Sequence, residues 1–328
     1  MTVARLAAVS LIAVVLPSGA NDTLATLGAG GLAPLKSSTI VMESEDLEIS
    51  VHKISVRYIF RNTSDRDIDV IVAFPLPELS GGLLANSPVK IPSTDPLNFV
   101  DFQVLVDGKS VAPKIETRAF VETRAVNTEI TADLGSMRVP ASPLDESITA
   151  AFRKAPPAQQ ARFEKNGWID CKLTNDGKCW PMWTVRVQFY WTQRFPARSA
   201  VEVRHTYSPI VGGSYITPNN DGSSELKPYC GGADALEKIK KQKTLHPAKN
   251  SESPALLERR IQYILTTANN WSGPIRNFRL SVIPDAPDDI VVTCLPGLKP
   301  ISPARYELVR SNFRPDKELD VLILQRAN

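Results

Sequence analysis

Between Trp183 and Phe195 the chain alternates with a period of two. Trp183, Val185, Val187, Phe189, Trp191 and Phe195 fall on one side, with Gln193 the exception, and Thr184, Arg186, Gln188, Tyr190, Thr192 and Arg194 fall on the other. A helix cannot segregate these residues; a strand with one face on a core and the other toward water or a partner does. Val201, Val203, His205 and Tyr207 repeat the pattern after Pro196-Ala197-Arg198, so a hairpin is expected between the two runs.

The same period recurs upstream. Ile54, Val56, Tyr58 and Phe60 share one face, and Ile68, Val70, Val72 and Phe74 share another, joined by a turn at Asn62-Thr63-Ser64-Asp65. Leu47, Ile49 and Val51 occupy odd positions, so the parity changes near Lys53 and predicts a bulge or bend there. Phe102, Val104 and Val106 lead into Asp107-Gly108, a hairpin turn pair. Further strands are expected near Gln262–Thr267, Phe278–Ile283, Ile290–Cys294, Arg305–Arg310 and Leu319–Leu324. The exception is 144–167. Asp145 can cap a helix carrying Ile148, Ala151 and Phe152 on one face, and Pro156 can open a second that stops at Asn166-Gly167. Residues 116–135 suit helix and strand alike, and 212–232 and 241–255 read as loops. The expected fold is mainly β, with antiparallel β-sandwich type regions and a short two-helix insertion. Its organisation is a signal segment 1–20, an N-terminal β region 21–140, a helical insertion 141–167 and a C-terminal disulfide-bonded β region 168–328, with the two β regions either separate or one integrated domain.

The first twenty residues set the expected compartment. Arg5 is followed by an apolar run from Leu6 to Leu16, broken only by Ser10, and then by Pro17-Ser18-Gly19-Ala20. That order is a secretory signal cleaved after Ala20, which makes the mature protein periplasmic or secreted. The apolar run is shorter than the ~20 residues a bilayer crossing needs, so no transmembrane segment is expected after cleavage. Cys171, Cys179, Cys230 and Cys294 are an even set, which in an exported chain predicts two disulfides. The turn Asn175-Asp176-Gly177 can draw Cys171 and Cys179 together, leaving Cys230 to pair with Cys294. A four-cysteine zinc site is the alternative, without the short Cys-x-x-Cys knuckle such sites use.

A formal net charge of +3 gives no argument for nucleic acid. Lys238, Lys240, Lys241 and Lys243 read as a solvated face. No cofactor or metal is expected. The three histidines, His52, His205 and His246, lie in no zinc-binding spacing. There is no Gly-x-Ser-x-Gly elbow, and Gly28, Gly30 and Gly31 lack phosphate-loop spacing. Asp285, Asp288 and Asp289 read as a surface turn, with weak calcium binding the outside option. His205 falls on the apolar face of its strand and reads as core. Trp183 and Trp191 read as core too, whereas Trp168, Trp180 and Trp271 flank turns or a disulfide and are candidates for a binding surface. Arg186, Tyr190 and Arg194 form a row on the polar face of the first strand, with the residue types interfaces favour. These features point to an exported, non-enzymatic binding protein whose partner is an envelope protein or a glycan. The alternative is a hydrolase of cell-wall or other extracytoplasmic polymer, which would need His205 within reach of a carboxylate or hydroxyl.

Several short motifs carry a resemblance. Asn21-Asp22-Thr23, Gly30-Gly31-Leu32 and Met42-x-x-Glu45-x-Leu47 are followed by Tyr190-Trp191-x-Gln193-x-Phe195-Pro196 and His205-x-Tyr207-x-Pro209. Tyr229-Cys230 and Asn270-Trp271-x-Gly273-Pro274-Ile275-x-x-Phe278 complete the set. Together they resemble a bacterial exported family known as domain of unknown function 4424, over nearly the whole mature chain. The resemblance implies export and a β-rich fold, and supplies no catalytic residue. Over 54–121 only, Asn62, Phe74-Pro75-Leu76-Pro77 and Val106-Asp107-Gly108-Lys109 resemble the vault protein inter-alpha-trypsin domain, which implies interaction and not catalysis.

Overall fold

An alternating strand is stable only when something covers its apolar face, and here three sheets cover one another. The computed structural model describes residues 23–28, 31–86, 91–122, 127–250 and 253–327. The expected signal segment 1–20 and mature start Asn21 lie outside the described residues.

Among those residues the largest sheet has eight strands. Their spatial order is Lys299–Ser302, Arg305–Phe313, Ile275–Val282, Ile40–Ile49, Ile54–Asn62, Ala200–Tyr207, Gln103–Val106 and Lys109–Val111. Its pairings are antiparallel except one. Ile40–Ile49 runs parallel to Ile275–Val282, so strands from the two ends of the chain lie side by side. A second sheet places Thr184–Phe195 between Lys114–Glu122 and Ile68–Pro75. A third orders Gly212–Ile216, Leu256–Tyr263, Leu319–Arg326 and Ile290–Thr293.

Both smaller sheets pack on the same face of the large one. Tyr58, Phe60 and Val203 of the large sheet share one core with Phe74, Phe189 and Trp191 of the second and with Ile261, Tyr263 and Val321 of the third. The helix Ala233–Leu245 covers the other side of the third sheet through Ile239, against Leu256, Leu322 and Leu324. The middle of the strand Leu319–Arg326 is therefore buried on both faces, which is why Val321–Leu324 is a continuous apolar run.

The polar faces are solvated as the alternation requires. On the large sheet Arg57 meets Asp46 and Glu202, Arg279 meets Asp46 and Glu307, and Arg61 and Arg276 both meet Glu43.

Several elements differ from the sequence-based expectation. Thr184–Phe195 and Ala200–Tyr207 do not form a hairpin; the chain turns a corner at 196–199 and enters the other sheet. The connection after Asn62 makes the same crossing beside it, because strands that carry one apolar face each can cover one another without pairing. Asn62 pins the two corners. It is fully buried, its Nδ2 donates to the carbonyls of Arg66 (2.8 Å) and Phe195 (2.9 Å), and its Oδ1 accepts from the Ser64 N–H (2.9 Å). Leaving such buried groups unmet costs roughly 1–3 kcal/mol each.

The parity change near Lys53 is a tight turn closed by Ser50 N–H to the Lys53 carbonyl (2.9 Å), while the register shift lies earlier, between Met42 and Ser44. Within 116–135 the chain forms Lys114–Glu122, Asn127–Glu129 and the helix Thr131–Met137. The helical insertion thus has a third member beside Ile148–Lys154 and Pro157–Lys165. Asp145 accepts from the Ser147 N–H (2.9 Å) in a turn and does not cap the helix directly. The stretches 212–232 and 241–255, expected as loops, contain Gly212–Ile216, Ser223–Leu226 and the end of Ala233–Leu245, since each has an apolar residue to bury: Ile216, Leu226 and Ile239. The strand expected from Gln262 begins at Leu256; its charged run Glu258-Arg259-Arg260 hides it, because Arg260 folds back onto buried Glu258.

Asp107 and Gly108 have φ of 47° and 77°, the left-handed pair that a two-residue hairpin demands. Gly81 is required for a different reason: a Cβ there would lie 2.1 Å from the Pro181 carbonyl oxygen. The disulfides are Cys171–Cys179 and Cys230–Cys294, with Cα separations of 3.8 Å and 4.9 Å. No helix among the described residues is long and apolar enough to cross a membrane.

Candidate functional site

The residues singled out by sequence do not come together. Arg186, Tyr190 and Arg194 share the outer face of Thr184–Phe195, and each already has a partner within the chain. Arg186 Nε donates to Glu78 (2.6 Å) and its guanidinium lies 4.0 Å from the Phe120 ring centre; Arg194 pairs with Asp67; Tyr190 packs by Ala73. Trp168 is half-buried edge-on to Phe163 at 5.1 Å, and Trp180 Nε1 donates to Thr174 (3.1 Å). Trp271 is not at the surface. It is buried between the sheets, 4.3 Å from the Phe60 ring centre and 6.1 Å from that of Phe195, since the turn it flanks drops it into the core. Arg186→Ala is therefore expected to cost about 1–2 kcal/mol in denaturant titrations, more than an ordinary surface change, because it unpairs Glu78 and uncovers Phe120.

His205 is fully buried and ringed by Tyr58, Phe74, Phe102 and Trp191 at centroid distances of 4.9–5.6 Å. Burial drives its pKa down to about 3, so the ring is neutral at physiological pH. Nearby, Glu45 is fully buried; burial lifts its pKa to about 8, so it carries its proton. Tyr263 Oη donates to Glu45 Oε1 (3.1 Å) and is itself 2.7 Å from Tyr58 Oη. This is a polar knot between the large and third sheets, in which Glu45 Oε2 meets no hydrogen-bond partner among the described residues. It lines none of the described clefts.

A different set of polar residues does converge on a concave surface. The face of the third sheet that carries Ile261 and Val321 into the core continues outward as Arg259 and Gln325, since alternate residues share a face. There it leaves the cover of the large sheet. The turn Ser50–Lys53 overhangs this end and presents His52, held by Ser50 Oγ, which accepts from the N–H groups of His52 (3.3 Å) and Lys53 (3.0 Å). Ser208, Pro209 and Val211 close one side, Pro92 and Val51 another, and Asp285 the third. The cleft has a volume of about 320 Å³.

One chain of hydrogen bonds crosses it. Arg259 Nε donates to Gln325 Oε1 (2.9 Å); Gln325 Nε2 donates to Asp285 Oδ2 (2.9 Å) and Asp289 Oδ2 (3.3 Å); and His52 Nε2 donates to Asp285 Oδ2 (3.1 Å). Asp289 anchors the loop by accepting from the N–H groups of Asp285 (3.0 Å) and Ala286 (3.1 Å), and burial pushes its carboxyl pKa up. Ser208 lines the same cleft but makes no hydrogen bond to His52 among the described residues, so a nucleophile–base pair is not assembled. The cleft can hold and orient a polar ligand.

The lining of this site comes from six separated segments with no local spacing, so no sequence motif marks it. Taken alone, His52 falls at the bend near Lys53 and Asp285 in a surface turn. Two other concave places are larger but carry no comparable chain of side-chain hydrogen bonds between separate strands and loops: the groove on the outer face of the large sheet, about 390 Å³, is lined by the ion pairs of Asp46, Arg57 and Arg279, and in the hollow beside Ala233–Leu245, about 580 Å³, Lys243 donates to the Asn220 carbonyl.

The family model for a domain of unknown function, DUF4424, matches residues 20–322. No curated protein sequence matches the chain. Among solved structures, that of a "putative nutrient binding protein" from Legionella pneumophila is similar at 15% identity and a TM-score of 0.47, covering 93% of this chain and 70% of that one. A likeness at that level shows nothing of what this chain binds.

Proposed function

This chain belongs to the DUF4424 family, and on that premise we propose that it is an exported binding protein that takes a small polar ligand in the cleft between His52 and Arg259. The observation that carries this reading is the convergence of Arg259, Gln325, Asp285 and His52, joined by hydrogen bonds, on a hollow of about 320 Å³. That size lies at the small end of the roughly 300–1,000 Å³ typical of ligand sites. The bonds between the side chains hold the donors in place before a ligand arrives, which lowers the ordering cost of binding. Two disulfides fit an oxidising compartment, in keeping with the secretory signal read at 1–20. The two β regions act as one unit in this reading, because Ile40–Ile49 and Ile275–Val282 pair in the same sheet.

Arg186, Tyr190 and Arg194 line none of the described clefts, whereas His52, Arg259, Asp285 and Gln325 share one, which favours the cleft over docking of an envelope protein or glycan on that row. Thermal-melt screening against a library of small polar metabolites tests this. Ligands are expected to raise the melting temperature of the wild type and to lose most of that effect in Arg259→Gln. Equal stabilisation of both proteins by every hit would overturn the reading.

A further inference from the structure

Several arginines of the third and large sheets are paired with carboxylates. Arg260 meets Glu258, Arg57 meets Asp46 and Glu202, and Arg305 meets Glu48. Arg259 differs. Its Nε is bound to the neutral Gln325 amide, and its two terminal nitrogens meet no carboxylate among the described residues. The side chain is half-buried, so its charge has lost part of its water without gaining a counter-ion. Gln325 orients the fork by holding Nε, which leaves the planar outer edge, with its parallel N–H donors, for another acceptor.

The remaining charges in the cleft narrow that acceptor. Asp285 is shared by His52 and Gln325, and Asp289 is turned onto two backbone N–H groups and Gln325. Arg259 is thus the fixed cation of the cleft with no carboxylate of its own, next to two acidic side chains. A singly charged, planar anion matches the open edge of Arg259 and meets less repulsion from Asp285 than a phosphate, which brings a second negative charge. Val51, Pro92, Pro209 and Val211 line the same hollow and offer apolar wall to a short hydrocarbon body.

We propose that the ligand of this cleft is a small monocarboxylate, its carboxylate gripped by the outer edge of Arg259 and its body against Val51, Pro92, Pro209 and Val211. This rests on the cleft being the ligand site. The test is a titration of the isotope-labelled mature protein with sodium butyrate, neutral butyramide and inorganic phosphate at constant ionic strength, followed by NMR at the Arg259 Nε–H and the Gln325 side-chain amide, with affinities from calorimetry.

Butyrate is expected to shift both signals saturably and to bind more tightly than butyramide or phosphate. Arg259→Gln is expected to weaken it about tenfold or more, as for loss of a charge-assisted hydrogen-bond pair, and Arg259→Lys to fall between, since a point charge loses the fork. Gln325→Leu, which frees Arg259 Nε, supplies a second variant should Arg259→Gln fold poorly, and should also weaken butyrate. Equal binding of butyrate and butyramide, tighter binding of phosphate, or unchanged affinity in the variants overturns the carboxylate assignment. If neutral compounds shift Gln325 and His52 while butyrate does not, the ligand class falls and the cleft reading stands. If shifts from all ligands gather elsewhere, both fall.

Discussion

Replacing Cys230 and Cys294 together by serine is expected to lower the unfolding free energy by about 4 kcal/mol, and replacing Cys171 and Cys179 by about 2.5 kcal/mol. The difference comes from what each bridge encloses. Cys230–Cys294 spans a sequence separation of 64 and Cys171–Cys179 one of 8, and the entropy removed from the unfolded chain grows with the logarithm of that loop. The longer loop holds Ala233–Leu245, Leu256–Tyr263 and Ile275–Val282, so the bridge ties together the helix, the third sheet and the large sheet. The shorter one closes a mostly exposed turn beside the helical insertion. Denaturant titrations of the two double variants decide this; equal losses, or a larger loss from the short loop, would show that native strain or residual unfolded structure outweighs chain entropy here.

The second large effect is a pH dependence lodged in the core. Glu45 has an ordinary pKa of 4.5, raised to about 8 in the fold by burial. Its contribution to stability is fully present below pH 4.5 and is lost as pH rises toward 8, because only the unfolded state ionises freely in that window. His205 runs the other way. Its pKa falls from 6.5 to about 3, so its contribution is present above pH 6.5 and lost as pH falls toward 3. Together they give a plateau between pH 4.5 and 6.5, with stability falling on both sides. Each proton accounts for a slope of about 1.4 kcal/mol per pH unit. Glu45→Gln keeps an acceptor for Tyr263 and removes the titration. The stability of Glu45→Gln relative to wild type should therefore grow across pH 4.5–8, by several kcal/mol in total. A difference that stays constant over that range would mean that Glu45 is already ionised, or reached by water, in the fold.

How far the sequence could be read depended on whether the information was local. Period-two alternation located most strands, since it depends only on which neighbours face the core. It could not tell a hairpin from a corner: Phe195 and Val201 alternate in the same way whether their strands pair or cover one another from opposite sheets. The turn at Asn175-Asp176-Gly177 made the short disulfide legible, and the other followed by elimination. Glu45 left a visible signal, because it falls on the same odd positions as Leu47 and Ile49, where a charged residue has to be buried or exceptional. Trp271 misled because flanking a turn says nothing about where the side chain points. The cleft was illegible. His52, Ser208, Arg259, Asp285 and Gln325 are ordinary surface residues one at a time, and only the meeting of the large and third sheets gives them a common space.

Ligand binding is assigned to this common space. Crystals of the mature protein soaked with a library of small polar fragments test it most directly. Bound fragments are expected to concentrate between His52 and Arg259, in contact with Gln325 and Asp285, and crystals of Arg259→Gln are expected to lose them while fragments elsewhere persist. Fragments that instead gather on the Arg186–Arg194 face, or that leave the cleft vacant while filling another site, would contradict it.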